Sequence, residues 1–215
     1  MSISNQAKLP EALPSSFYNR DTRIVAQEML GCLLWRKQKG LWHSWRIVET
    51  EAYMADDPAC HAYQRKKGRA AMLYAEPGTA YVYKIYGMYN CLNAVTEPLD
   101  IAGAVLIRAL EPCANLIEQA ILHPKHLAAE LRTNGPGRLA RALDITKDDC
   151  NGKMLTDLEH GLFLSEGLRS PEAQIVKTTR IGITKGVDLP WRYYELGNPW
   201  VSVRNRLAES EKQAQ

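Results

Sequence analysis

The sequence predicts a mixed α+β fold: a single compact domain with a curved, mainly antiparallel sheet, surrounding helices and a protruding β-hairpin. Two pairs of strand-like segments are each joined by a short turn that contains glycine, which is typical of antiparallel neighbours. Helical patterns before and after these strands can cover the sheet. The 215 residues are 46% hydrophobic and can bury roughly 70% of the unfolded surface, enough for one ample core.

The folded domain is predicted to span residues 17–207. Residues 1–16 contain Pro10 and Pro14 followed by two serines, a composition that favours a flexible tail. A second flexible tail is expected over residues 208–215.

A short helix is expected in RDTRIVAQEMLG, residues 20–31, because Asp21 or Thr22 can cap its start and Gly31 suits the position just past its end. Two strands follow, CLLWRK and HSWRIVETEAY, separated by a Lys-Gln-Lys-Gly turn. Later elements are predicted as helices over 114–131 and 136–145 and as short strands in FLSEG and TTRIGIT.

The second strand carries two glutamates and a tyrosine at alternate positions. Since side chains alternate between the faces of a strand, one face is predicted to present Ile47, Glu49, Glu51 and Tyr53. Taken alone, either glutamate is most simply a surface residue or an ion-pair member. Glu51 is the stronger candidate for a general base, because Tyr53 lies two residues on and a short loop can bring His61 back beside it.

A hairpin is predicted from TAYVYKIY and YNCLNAVT, closed by Gly87-Met88 in a type II′ turn, and the strand GAVLIRALEP follows it. The tip, YKIYGMYN, places three tyrosines and a methionine around one glycine, although hairpin tips are normally small and polar. A single tyrosine there would most simply pack on the sheet. The cluster favours an exposed aromatic wedge for stacked bases, with Tyr86 best placed and Met88 beside it.

The net charge of +3, from 27 Lys and Arg against 24 Asp and Glu, permits a local basic surface without requiring a nucleic-acid partner. The loop QRKKGRAAM is most simply a solvated loop, but next to an aromatic hairpin it becomes a candidate phosphate-contacting surface. The segment NGPGRLARAL opens a helix whose first N–H groups are further, weaker candidates. The candidate residues for the DNA backbone are Arg65, Lys66, Lys67, Arg69, Gly135 and Arg138.

Several classes of protein and site are disfavoured by composition. Five cysteines without a CxxC pair argue against a disulfide framework and a thiolate zinc site, and His61 lacks suitably spaced partner ligands. No metal or organic cofactor is therefore expected. Long apolar runs are absent, which predicts an intracellular protein without membrane contact. We also expect a monomer, located in the cytoplasm or nucleoid if the source is bacterial and in the nucleus if it is eukaryotic.

Together these segments resemble the alkyladenine (3-methylpurine) DNA glycosylase family over nearly the whole chain. The resemblance rests on RIVETEAY, ACHAY, PGTAYVYKIYGMYNCLNAV, VLIRALEP, NGPGRLARAL, TRIGIT and GNPWVSV, in the order found in the family. Family members commonly carry a Thr-Pro-Arg-Asn segment before the methionine-rich strand. Here RKKGRAAMLYAEPGT replaces it, so that the resemblance gives no role to this loop.

The resemblance implies a role for each matching residue. Glu51 is the general base that deprotonates the attacking water, and Arg108 helps hold Glu51 and the water in place. Asn93 lies where the family excludes the amino group of normal guanine. The extruded purine is expected to stack among Tyr53, His61 and Tyr83, with His61 also bonding to the base, while Tyr86 fills the gap in the duplex from the minor groove.

The function implied is a monofunctional DNA glycosylase that flips alkylated or deaminated purines out of duplex DNA and starts base excision repair. Candidate lesions are 3-methyladenine, 7-methylguanine, hypoxanthine and ethenoadenine. A non-catalytic nucleic-acid-binding module with the same hairpin is an alternative. A carbohydrate hydrolase using Glu49 and Glu51 is disfavoured, because carboxylates two apart on one strand face lie about 7 Å apart and point in parallel.

Overall fold

The computed structural model describes residues 9–113 and 132–214. Within them lies one curled sheet of eight strands, and every strand pair in it is antiparallel. The predicted α+β class and single compact domain are confirmed. The strands are β1 (Leu33–Gln38), β2 (Leu41–Met54), β3 (Ala80–Ile85), β4 (Tyr89–Val95), β5 (Gly103–Pro112), β6 (Leu162–Ser165), β7 (Ile175–Thr178) and β8 (Arg192–Glu195).

The helices of the described residues are short and lie around the sheet. They are α1 (Ser15–Tyr18), α2 (Thr22–Glu28), α3 (Pro136–Ala142), α4 (Lys147–Cys150) and α5 (Arg206–Gln213), with 3₁₀ turns at Gly68–Tyr74 and Glu172–Gln174. The expected first helix is α2. Its start is capped by Asp21, whose carboxylate accepts from two backbone N–H groups, and Gly31 follows its end with a φ of +90°.

Strand β2 is the centre of the sheet. Along one edge it pairs with β5, and along the other it pairs first with β1 and then with β8. The order runs β3-β4-β5-β2-β1-β6, with β8 joining β7 to β2. This arrangement brings side chains from β3, β4, β5 and β8 toward the second half of β2.

A β-bulge in β2 changes which residues share a face. The register against β5 shifts between Ile47 and Glu49 and again between Glu49 and Thr50. An extra residue at a bulge reverses the alternation of side chains. Ile47 therefore packs in the main core together with Ala52, and the prediction that it shares a face with the two glutamates and Tyr53 is wrong.

The main core lies between α2, α3 and the sheet, and a smaller aromatic cluster lies behind the 3₁₀ turn at Gly68–Tyr74. All five cysteines are free thiols. In residues 9–113 and 132–214, no helix combines the length and hydropathy needed to cross a bilayer.

Packed residues lie on both sides of the range 17–207 that was predicted for the folded domain. Leu13 is 1% exposed, and its N–H donates to the carbonyl of Leu164 at 2.7 Å, so packed structure begins before residue 17. At the other end, α5 occupies most of the predicted tail, and its Glu209 pairs with Arg204 at 2.8 Å.

The later predicted elements have mixed outcomes. The helix expected over 136–145 is α3, and the strand in FLSEG is β6. TTRIGIT is not a strand, since β7 ends at Thr178 and Arg180 turns into the interior. The helix expected over 114–131 lies outside the described residues.

Candidate active site

A cavity of about 1450 Å³ opens beside β3, β4 and the second half of β2. The loop at 58–70, the hairpin tip, the start of α3 and the segment 181–185 complete its wall. Most of the residues singled out from the sequence line it: Tyr53, His61, Arg65, Lys67, Arg69, Tyr83, Tyr86, Asn93, Arg108, Gly135 and Arg138. Glu51 lies directly behind Tyr53 and Arg108, whereas Lys66 and Met88 are exposed at its margins.

Glu51 is fully buried, and three donors hold its carboxylate. Its Oε2 accepts from the Tyr53 hydroxyl at 2.8 Å and lies 3.1 Å from Nη1 of Arg108. Its Oε1 accepts from the backbone N–H of Ile181 at 2.8 Å. These donors offset the cost of removing the carboxylate from water and fix its direction.

Arg108 joins the two glutamates of β2. Its Nε donates to Glu49 at 2.9 Å, while Nη1 faces Glu51. Burial acts to lower the pKa of Arg108, but the carboxylates of Glu51 and Glu49 outweigh burial and hold the pKa above its ordinary value. Arg108 is therefore a fixed cation at the back of the cavity.

Tyr53 forms one wall, and Arg180 supports it. The Arg180 guanidinium lies 4.6 Å from the centre of the Tyr53 ring and 5.2 Å from that of Trp191. Its Nη2 donates to Asp57 at 2.8 Å, and both side chains of this ion pair are fully buried. Burial, followed by the nearby Glu51, raises the pKa of Tyr53, so its hydroxyl keeps its proton and donates it to Glu51.

A second wall consists of His61, Tyr81 and Tyr83. The rings of His61 and Tyr83 meet edge to face, 4.7 Å apart, and Nδ1 of His61 lies 2.8 Å from the Tyr81 hydroxyl. Burial, with a smaller effect of Arg69, lowers the pKa of His61. Burial raises the pKa of both tyrosines. At neutral pH this wall is uncharged and aromatic.

Asn93 lies on the floor of the cavity and is 3% exposed. In the β3–β4 ladder it faces Tyr81, and its Nδ2 donates to the Tyr81 carbonyl at 2.9 Å. This bond fixes the orientation of the Asn93 amide. The side chain can therefore restrict which groups fit on the floor.

The tip of the hairpin differs from the expected turn. Tyr86 and Gly87 both have positive φ, +52° and +72°, and the N–H of Met88 donates to the carbonyl of Ile85 at 3.3 Å. These features belong to a type I′ turn centred on Tyr86-Gly87, so the type II′ turn at Gly87-Met88 is wrong. Because Tyr86 lies in the turn, the alternation of side chains along β3 does not determine where the Tyr86 side chain points relative to that of Tyr83. Its side chain is 79% exposed.

The predicted basic residues lie around the mouth of the cavity. Arg65, Lys67, Arg69 and Arg138 line it and are exposed, whereas Lys66 stacks over Tyr74 at 5.2 Å. Elsewhere in the described residues, Asp157, Glu159 and His160 form one group of possible metal ligands. That group does not line the cavity.

Several residues of the site were not predicted from the sequence. Tyr81 had a signal, because it precedes Tyr83 by two positions and therefore shares its face. Arg180 and Ile181 lie in TRIGIT, a segment that carries the resemblance, but no local pattern placed them beside Tyr53 and Glu51. Arg192 had no signal, because long-range folding brings it to Glu49.

Fold and site together define a class of protein. A flat aromatic group in the cavity would meet rings on its sides. A fixed carboxylate lies directly behind the Tyr53 wall, and exposed cations surround the entrance. This suits an enzyme that acts on nucleobases of a polyanionic nucleic acid.

The comparison with protein families identifies the particular family. The model of the methylpurine-DNA glycosylase family matches residues 16–199, and the chain belongs to this family. It is thus an enzyme that hydrolyses N-glycosyl bonds, and it acts in DNA repair.

Similar proteins occur in distant organisms, and three of them have been named, provisionally, 3-methyladenine DNA glycosylase. The protein of Koribacter versatilis is 45% identical over 200 residues, covering 91% of this chain and 95% of its own. That of Synechococcus sp. strain JA-3-3Ab is 48% identical over 185 residues, covering 83% and 93%. That of Clostridium perfringens is 43% identical over 202 residues, covering 88% and 98%.

Proposed function

We propose that this glycosylase extrudes a damaged purine from duplex DNA and hydrolyses its N-glycosidic bond with a water molecule activated by Glu51. One observation carries the proposal: a fully buried carboxylate lies 2.8 Å from the hydroxyl of a cavity-wall tyrosine. Cleavage builds positive charge on the sugar, and an ionised carboxylate stabilises that charge while accepting a proton from water. The product is an abasic site.

The aromatic walls supply the binding of the base. A purine alkylated at N3 or N7 is cationic, and the faces of Tyr53 and Tyr83 attract such a ring more strongly than a neutral one. His61 would bond to the edge of the base, and Asn93 would exclude the amino group of normal guanine. We propose 3-methyladenine, 7-methylguanine, hypoxanthine and ethenoadenine as the substrate class.

The hairpin supplies the wedge. Tyr86 is 79% exposed and Met88 69% exposed, on a turn whose left-handed backbone costs a tyrosine about 1 kcal/mol. Insertion of the Tyr86 ring into the duplex would fill the space left by the extruded base. Arg65, Lys66, Lys67, Arg69 and Arg138, with the N–H of Gly135, would contact phosphates on either side. One enzyme molecule would act on one lesion, without a cofactor.

Tyr86→Asn should weaken binding to a lesion-containing duplex by about tenfold or more, because base stacking is worth roughly 1–3 kcal/mol. Asparagine tolerates positive φ, so this change removes the ring while keeping the turn. Fluorescence anisotropy with an abasic-analogue duplex measures the effect. Leu41→Asn is a matched control, because Leu41 is 66% exposed at the start of β2 and lies outside the cavity. Equal affinities for wild type and Tyr86→Asn would remove the wedge role.

A base-release assay tests the function itself. Duplexes carrying each proposed lesion, and an undamaged duplex, are incubated with the wild-type enzyme under single-turnover conditions, and free base is separated chromatographically. We expect release from the lesion duplexes and none from the undamaged one. Binding without release from any duplex would instead favour the non-catalytic module.

A further inference from the structure

Behind Glu51 lies a network of buried charges that the proposed reaction does not use directly. Glu49 is fully buried, Arg108 is 5% exposed and Arg192 is 2% exposed. Oε1 of Glu49 accepts from Nε of Arg108 at 2.9 Å and from Nε of Arg192 at 2.8 Å. Such a group of charges is costly to bury unless every member is paired.

Glu49 is fully occupied by donors. Besides the two arginines, the Ser202 hydroxyl donates to its Oε1 at 2.9 Å, and the Ser202 N–H donates to its Oε2 at 2.7 Å. Glu49 does not line the cavity. With four donors on its carboxylate, Glu49 is worse placed to accept a proton from water than Glu51, which has three partners, all of them residues that line the cavity.

Arg108 uses different nitrogens for the two glutamates: Nε for Glu49 and Nη1 for Glu51. Without Glu49, the free Nε–H would draw Arg108 further onto Glu51 and cover the oxygens that must accept the proton of water. Arg192, in turn, lies directly across from Glu51 in the β2–β8 pairing, and its Nε donates to the same oxygen of Glu49 as the Nε of Arg108. Glu49 and Arg192 thus limit how strongly Arg108 engages Glu51.

We propose that Glu49 and Arg192 are a pair of positioning residues that hold Arg108 at its Nε end and set the charge around Glu51. The inference rests on the proposed role of Glu51 as general base. Glu49, Glu51, Arg108 and Arg192 carry two negative and two positive charges, so removal of either positioning residue leaves one net charge beside Glu51.

Other charged and titratable groups also surround Glu51, but the proposed substitutions leave them in place. They come from β2, β3, β4, β5 and the segment after β7, and the ones with electrostatic or hydrogen-bond contact to Glu51 are Tyr53, Tyr83, Cys91, Arg108 and Arg180. A shift of the pH profile in these variants can therefore be attributed to the changed charge of residue 49 or residue 192.

The test is a double-mutant cycle on 7-methylguanine release as a function of pH. Glu49→Gln removes a negative charge next to the site, and the acid limb of the rate profile should move about one pH unit lower. Arg192→Gln removes a positive charge and should move the limb about one unit higher. The double variant restores neutrality and should return the limb to the wild-type position. At pH 7, Glu49→Gln should release base about tenfold more slowly.

The double variant is also a control for misfolding, because two amides can form a hydrogen bond in place of the ion pair. Affinity for an abasic-analogue duplex should be unchanged throughout. The inference would be overturned if the acid limb moved in the same direction in both single variants. It would also be overturned if the rate losses at pH 7 were additive, with no rescue in the double variant. Failure of the proposed function would be seen separately, because Glu51→Gln would then release base at the wild-type rate.

Discussion

Glu51→Gln is expected to slow base release by about 10²-fold or more while leaving the affinity for an abasic-analogue duplex intact. Glutamine has nearly the same shape. Its one amide oxygen can accept from the Ile181 N–H, and its NH2 can donate to the Tyr53 hydroxyl, which also accepts, so the cavity wall should keep its form. What it loses is the negative charge and the ability to take a proton from water.

Single-turnover release of 7-methylguanine measures the loss, and anisotropy measures the affinity. Glu166→Gln is the matched control, because the Glu166 side chain is 63% exposed and pairs with Arg169 on the surface. The control should release base at the wild-type rate. If Glu51→Gln released the nucleobase at the wild-type rate, another group would have to be the general base.

Arg108→Gln should have the largest effect on stability, about 3–5 kcal/mol. The change leaves Glu49 and Glu51 without the cation that lies 2.9 Å from one and 3.1 Å from the other, and the Arg108 side chain is only 6% exposed. Buried charges that lose their partner cannot recover hydration. For a chain of this length, we expect the midpoint of thermal unfolding to fall by about 10 °C.

Arg169→Gln provides the comparison for this measurement. Arg169 also contacts two carboxylates, those of Glu28 and Glu166, but its side chain is 43% exposed. Exposed ion pairs contribute little, so its unfolding midpoint should change by about 2 °C or less. If the unfolding midpoint fell by a similar amount in both variants, Arg108 would not be compensating the buried charges of Glu49 and Glu51.

Local patterns in the sequence predicted much of the site. Alternation along β2 placed Glu51 and Tyr53 on one face, and alternation along β3 explains why Tyr81 and Tyr83 line the cavity together. Shared faces of this kind depend only on neighbours within one strand, so a local pattern can reveal them. The resemblance to the family added the roles.

Other features depend on backbone details that the sequence leaves open. The bulge near Glu49 turns Ile47 into the core, and no residue there marks it. At the hairpin tip, one glycine suits either position of a two-residue turn. The structure places it second, which puts Tyr86 at positive φ.

Contacts between distant segments were beyond local patterns. Arg180 reaches Asp57 across 123 positions, and Arg192 reaches Glu49 across 143. Each contact depends on where β7 and β8 pack against the sheet. Sequence periodicity fixes the face of a strand but not its partner.

The most direct measurement is a crystal structure of the Glu51→Gln variant with a duplex that contains ethenoadenine. We expect the base in the cavity, between Tyr53 and the rings of His61 and Tyr83, with its sugar next to residue 51. The Tyr86 ring should occupy the space that the base left in the stack. A base that remains stacked in the duplex, or one bound away from residue 51, would show that this cavity is not where Glu51 acts on the damaged base.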